Sequence, residues 1–589
     1  MLTYTPPSAR PPAPTREPPW LLLLLVFVWL WPGVFSHDLW KPYEPQLFTA
    51  VSAFVEKPVW LPELFGRPYF DAPPVYVALS ALMVKLLSPW AADAYSAARF
   101  ATVFFTSAGL LGSGMAGFRL LGRHQGRSVV LVLIGSVGLL GPGHFLSGMS
   151  VAFAGVGLCW WGMSAARRQA VFAMLLTGIG LFLLAQACGL LAAAAAWLAV
   201  LAVWPHPLWN SRRYLVYALG AGLFGLTLYS AWLVGLNIYG RQVFAVFWQR
   251  HLFGRFGGTE VFQAAFSLPY YAQNLLWFAL PAWPLALWTM LRPGLWRMHA
   301  AAPAAAWISV CGLLLAAHPQ AHQDNLVLLL PPLAVLSAAK LDNLRRGATA
   351  FLNWFGGMTS CAAMLFLWVG FAAMNYGFPA KLAERAVYFS PYYTRDIDPM
   401  PLVVALLCTA AWPLAVRRRH IRGRQAVTNW AAGITLVWVL LLTLFLPWLD
   451  AAKSYRPVVQ EMQKALPESV RNAIVGSSDC LFVGQDAQDA RIAWTQYGYL
   501  PLNTANPACR YRLLQYNPRL TPLADDAEVL WHGRRPRNKT EAFAIIEQSG
   551  ASPVTGQPEK KLSENGRPHV HTDTGQPLRQ PAALTKEQP

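Results

Sequence analysis

Two short stretches near the N-terminus gather the residue types that can do chemistry. His37-Asp38-Leu39-Trp40-Lys41-Pro42-Tyr43-Glu44-Pro45 places two carboxylates, a lysine and a phenol close together. Gly66-Arg67-Pro68-Tyr69-Phe70-Asp71-Ala72-Pro73-Pro74 adds a third carboxylate, four residues after an arginine. A loop carboxylate can serve as a general base toward an acceptor hydroxyl or phosphate. Carboxylates that only cap helices or stay solvated would have the same spacing.

A phosphate-bearing substrate needs cations or hydrogen-bond donors nearby. Arg67, Lys41, His251, Arg255, His318 and His322 fall in segments that can face the same compartment. In Trp248-Gln249-Arg250-His251-Leu252-Phe253-Gly254-Arg255, cations and aromatics alternate, which suits a lipid-borne phosphate. His318 and His322 have a metal-like spacing only if helical, and Pro319 opposes that, so they are not read as metal ligands. Whether a divalent metal is needed stays open.

The surroundings of these residues are those of a membrane protein. Hydrophobic residues make up 55% of the 589 and charged residues only 13%. A soluble domain carries roughly a quarter charged residues. The deficit is concentrated in residues 1–449, while residues 450–589 have an ordinary soluble charge density. The net charge of +19 is almost all in the apolar part, as clusters between hydrophobic runs. That is the signature of cytoplasmic loops, and no basic stripe suits a duplex, which excludes a nucleic-acid partner.

Residues 1–19 read as a Pro-rich, disordered cytoplasmic leader, and Trp20–Val34 as the first span. Twelve further apolar segments follow up to residue 449. Basic clusters at Arg119/Arg123/Arg127, Arg167/Arg168, Arg212/Arg213, Arg292/Arg297, Lys340/Arg345/Arg346 and Arg417–Arg424 each follow an even-numbered span. All six are then cytoplasmic, the count is about thirteen spans, and the C-terminus is outside. Val75–Leu87 must lie in the interface, because counting it as a span would invert every later loop. The long first outer loop is then 36–93. It contains an amphipathic helix with Leu47, Phe48, Val51, Phe54 and Val55 on one face.

An acidic pair, an amphipathic helix, Trp60-Leu-Pro, Gly66-Arg67-Pro68-Tyr69 and Asp71 before Pro73-Pro74 form a pattern similar to glycosyltransferases of the GT-C class. It most resembles the bacterial aminoarabinose transferases that modify lipid A and their protein-mannosyltransferase relatives. Asp324-Asn325-Leu326 to Leu330-Pro331-Pro332-Leu333-Ala334 adds to the resemblance, which runs to about residue 450. It implies an α-helical polytopic protein of the bacterial inner membrane. It also implies inverting transfer of a sugar from an undecaprenyl-phosphate donor to a lipid A, glycan or protein acceptor on the periplasmic face. The family's acidic pair falls on Tyr43-Glu44, and its acidic-Lys pair on Asp71-Ala72, so two positions depart. On this alignment Glu44 is the first choice of base, Asp38 the second, and Asp71 assists, with Tyr43 and the cations above contacting substrate. The alternatives are a catalytically degenerate relative and a transporter or flippase of the same lipids. Few ionisable residues lie mid-span, which favours surface chemistry over translocation.

Residues 450–548 read as a small extracytoplasmic α/β domain, and 549–589 as a disordered tail. Val458–Leu466 reads as a helix, Cys480–Gly484 and Arg510–Gln515 as strands, and Glu541–Gln548 as a helix. Five of the seven cysteines lie in apolar segments. Cys480 and Cys509 are the two in the polar part, and the oxidising outer compartment predicts a disulfide between them.

Overall fold

The computed structural model describes residues 19–395, 397–416, 423–520 and 528–548. The segments expected to form the leader and the disordered tail, and most of the arginine cluster at 417–424, lie outside them. Helix α1 (Pro19–Leu30) enters the long first loop, where α2 (Glu44–Glu56) is followed by a two-stranded hairpin, β1 (Glu63–Leu64) and β2 (Arg67–Pro68). Helix α3 (Pro74–Leu87) closes the loop with a buried edge of Tyr76, Val77, Ser80 and Ala81. Its fourteen residues are too few to cross a hydrocarbon core of about 30 Å.

The apolar part continues as α4 (Ala94–Leu121), α5 (Arg123–Ile134), α6 (Leu140–His144), α7 (Met149–Ala165), α8 (Ala170–Cys188), α9 (Leu190–Leu201) and α10 (Arg212–Tyr239). After α11 (Arg241–Arg250) come α12 (Leu268–Phe278), α13 (Ala282–Met290), α14 (Ala301–Ala316), α15 (Leu330–Ala339), α16 (Arg346–Tyr376), α17 (Ala380–Phe389), α18 (Pro399–Val416) and α19 (Gly423–Leu444). Among the described residues, six helices are long and apolar enough to span a membrane, and a seventh span results if α5 and α6, bent by 70°, count as one. Shorter apolar helices occupy several of the other runs.

Small residues let these helices approach closely. A Cβ on Gly112 of α4 would sit 2.5 Å from the backbone of Gly157 in α7, so only glycine permits that contact.

The C-terminal part starts with α20 (Leu446–Lys453), α21 (Arg456–Ala465) and α22 (Glu468–Val475). It continues with β3 (Leu481–Val483), α23 (Gln488–Tyr497), β4 (Leu502–Asn503), β5 (Tyr511–Tyr516), β6 (Glu528–Gly533) and β7 (Ala542–Glu547). The sheet order is β4-β3-β5-β7-β6, with β3 parallel to β4 and β5, and β7 antiparallel to both neighbours. A disulfide joins Cys480 and Cys509. The helix expected at Glu541–Gln548 is instead strand β7. Ala542, Phe543, Ala544 and Ile545 are all buried between two paired strands. A run buried on both faces shows no alternation, so its sequence does not separate strand from helix.

The C-terminal part grips the first loop directly. Arg456 pairs with Asp38 at 2.6 Å, and Lys41 pairs with Asp489 and Glu541 at 2.7 Å each. Gln496 Nε2 donates to Thr49 Oγ1 of α2 at 2.7 Å.

Candidate active site

The cavity of interest, about 730 Å³, opens beside the start of α2. Tyr43 and Gln46 form one wall, with Tyr69, Phe70 and Asp71 next to them. The last turn of α8 and Tyr229 and Trp232 on α10 also line the cavity. Arg250 and Arg255, at and just beyond the end of α11, supply cations beside His251, and His318, His322, Asp324 and Asn325 complete the lining.

The polar groups hold one another. Arg255 Nη1 lies 3.2 Å from Asp71 Oδ1, with both side chains partly exposed to the cavity. His251 stacks on Phe70, ring centroids 4.0 Å apart and planes 8° off parallel. Burial lowers the His251 pKa, the nearby Arg255 and Arg250 add to this, and Asp71 opposes it. His251 is therefore neutral near pH 7. Burial also lowers His318, whose Nδ1 accepts from Gln320 N at 3.2 Å.

Asp324 is held above the usual carboxylate range by burial, with His322 opposing the shift. The two side chains are 3.6 Å apart. The Tyr43 ring meets the His322 ring edge-on at 5.4 Å. Burial first, and the Asp324 charge second, raise the Tyr43 phenol, so it stays protonated. Tyr43 thus stands between two pairs, Asp71 with Arg255 and Asp324 with His322. Among the described residues, no group of three or more His, Cys, Asp or Glu side chains could hold a metal ion.

The structure therefore brings Tyr43, Asp71, His251, Arg255, His318 and His322 together and leaves Glu44, Asp38, Lys41 and Arg67 out of the cavity. Glu44 turns inward: its Oε1 accepts from Arg99 Nε at 3.0 Å and Leu146 N at 2.9 Å. Its Oε2 accepts from Trp40 N at 2.9 Å and Arg99 Nη2 at 3.3 Å. Although burial works against the charge, Arg99 holds this carboxyl below the usual range. Asp38 is buried and takes both Arg456 Nε and Nη2. Lys41 is committed to Asp489 and Glu541. Arg67 lines a smaller neighbouring cavity. Spacing placed Glu44 and Asp38 in one loop, but Arg99 of α4 decides where Glu44 points and Arg456 of α21 where Asp38 does.

Asp324, Arg250 and Arg99 were not singled out as site residues in the sequence. Asp324 carries a usable signal, an acid directly before an apolar run. So does Arg99, a cation inside an apolar helix that is 0% exposed.

Among solved structures, the apo form of ArnT from Cupriavidus metallidurans superposes with a TM-score of 0.62 at 17% identity, covering 91% of this chain and 99% of that one. The chain has the ArnT fold. The structure of the same ArnT bound to undecaprenyl phosphate superposes with a TM-score of 0.58 at 16% identity and the same coverage. The resemblance to GT-C glycosyltransferases drawn from the first loop therefore holds at the level of the fold. No protein-family model matches the sequence, and no curated protein matches it at a significant level. The ArnT-like fold and the long apolar helices make this a multi-pass membrane protein.

Proposed function

We propose that this protein is an inner-membrane glycosyltransferase that moves a sugar from an undecaprenyl-phosphate-linked donor to a lipid A, glycan or protein acceptor at the periplasmic face. Thirteen spans, a cytoplasmic N-terminus and a periplasmic C-terminal domain complete this reading. The observation that carries it is the cavity, in which Arg250, Arg255, Asp71 and Asp324 surround an aromatic and aliphatic space within an ArnT-like fold.

Each group has a role that its surroundings suit. Arg255, steadied by Asp71, binds the donor phosphate and stabilises the charge that grows on it as the sugar leaves. The Trp232, Phe247 and Leu61 side chains offer the adjoining prenyl chain an apolar wall. The acceptor oxygen bonds to the anomeric carbon on the face opposite the departing phosphate, inverting it. The acceptor proton passes to a carboxylate as the carbon–phosphate-oxygen bond breaks. Asp324 suits that transfer, because a carboxylate raised by burial is a stronger base. Asp71 is the second choice, and the geometry favours both over Glu44 and Asp38.

The test is lipid binding and sugar transfer by the full-length protein in nanodiscs. Undecaprenyl phosphate should bind or copurify, and Arg255→Ala and Asp324→Asn should each cut transfer about 100-fold while the protein stays folded. Absence of lipid binding, together with wild-type behaviour of both variants, refutes the proposal. One observation favours a non-catalytic relative: a protonated tyrosine, Tyr43, stands where the related transferases carry an aspartate. On that reading the lipid binds, transfer is absent, and Tyr43→Asp restores it.

A further inference from the structure

Two polar side chains lining the main cavity have no partner in the protein. Gln186, in the last turn of α8, is 9% exposed, and neither its Oε1 nor its Nε2 is hydrogen-bonded. Tyr229 on α10 is 2% exposed, and its Oη is unbonded as well. Among the described residues, these are the two buried side chains with unbonded polar atoms that line this cavity. A buried polar atom without a hydrogen bond costs free energy, so each such group calls for a partner.

The chain holds Gln186 beside the group assigned to the donor phosphate. Gly189, just past α8, has a φ of +87°, and Gly254, one residue before Arg255, has a φ of +66°. A Cβ on Gly254 would sit 2.4 Å from Cys188 O, and one on Gly189 would sit 2.2 Å from Gly254 N. Neither position accepts a side chain. Leu190 N donates to Leu252 O at 3.0 Å across the same contact. The end of α8 is thus locked to the turn that carries Arg255, and Gln186 stands about one helical turn before the lock. Tyr229 is steadied by stacking on Trp232, ring centroids 5.6 Å apart and planes 30° off parallel.

The chemistry of these groups selects the ligand. A side-chain amide offers two N–H donors and a carbonyl acceptor, and a phenol both donates and accepts, with no charge on either. Hydroxyl groups, which also donate and accept, match them. An ammonium does not suit the cavity. Arg250 and Arg255 both line it, Asp71 is engaged by Arg255, and burial pushes Asp324 toward its neutral form. A positive charge on the sugar would be repelled by this excess of guanidinium.

We infer that Gln186 and Tyr229 form the subsite that selects the donor sugar, and that this sugar is neutral and read through its hydroxyl groups. The inference rests on the transferase reading above and narrows its donor to one without an amino group. Arg255 takes the phosphate, and the sugar attached to it meets the Gln186 amide.

Full-length protein in phosphatidylcholine nanodiscs, titrated with undecaprenyl phosphate, undecaprenyl phosphate glucose and undecaprenyl phosphate glucosamine, tests the subsite. In slightly acidic buffer the two sugars differ in one group, a hydroxyl against an ammonium. The glucosyl lipid should bind about tenfold more tightly than either the bare or the glucosaminyl lipid. Gln186→Leu and Tyr229→Phe should each remove most of that advantage while the bare lipid binds as before. Both replacements keep the approximate side-chain volume, so the fold is retained. Equal or tighter binding of the glucosaminyl lipid by the wild type overturns the inference, as does an undiminished glucosyl advantage in both variants. If the bare lipid binds and glucose adds nothing to its affinity, only this inference fails. If none of the three lipids binds, the transferase reading fails and takes the inference with it.

Discussion

Glu44→Gln separates a chemical role for this residue from a structural one. The carboxylate is 3% exposed and accepts four hydrogen bonds, two from Arg99 and one each from the backbone N–H groups of Trp40 and Leu146. A glutamine has one oxygen, so two donors keep a partner and two face an NH2 group. Whichever way the amide turns, Arg99 loses the counter-charge of Glu44 while 0% exposed. Breaking a buried pair in this way costs roughly 3–5 kcal/mol.

The substitution should therefore lower stability by that order, measured by chemical or thermal unfolding in detergent with tryptophan fluorescence as the readout. The pH dependence has a definite sign. Arg99 holds the Glu44 carboxyl below its ordinary value of 4.5, so its contribution is present above that pH and is lost as pH falls through the lower folded value. The wild type should lose its advantage over the variant only in that acid range. A Glu44→Gln protein with wild-type stability and abolished transfer would refute this reasoning and return Glu44 to the role of base.

Asp450, which accepts from Trp40 Nε1 at 2.7 Å and Asp38 N at 3.1 Å, is pushed up to about 7, by burial first and the Asp38 charge second. The folded protein keeps a proton that the unfolded chain releases above about pH 4, so stability falls from there to about pH 7, by roughly 2–4 kcal/mol. Asp450→Asn should flatten that fall, and parallel pH curves for variant and wild type would count against it. Replacing Cys480 and Cys509 by serine opens a loop with a sequence separation of 29 and should cost about 3 kcal/mol in the C-terminal part, measured by denaturant unfolding. Reporter fusions at Arg123 and Gln548 should read cytoplasm and periplasm, and matching locations would sink the thirteen-span reading.

Composition and charge alone marked an apolar chain with a small polar C-terminal part, because hydrophobic runs and basic clusters are properties of consecutive residues. The α2 helix was legible from its apolar face, and charge bookkeeping kept α3 out of the span count, as its fourteen residues require. β7 was not, since a strand buried on both sides has no period to read. The site divided along the same line. Tyr43, Asp71, His251 and Arg255 were recoverable as residue types in loops, yet their assembly around one cavity depends on α10 and α11 meeting the first loop. Whether Glu44 met substrate or Arg99 was decided only by the packing of α2 against α4. A carboxylate's role follows from its neighbours in space, and those came from 55 residues away in the chain.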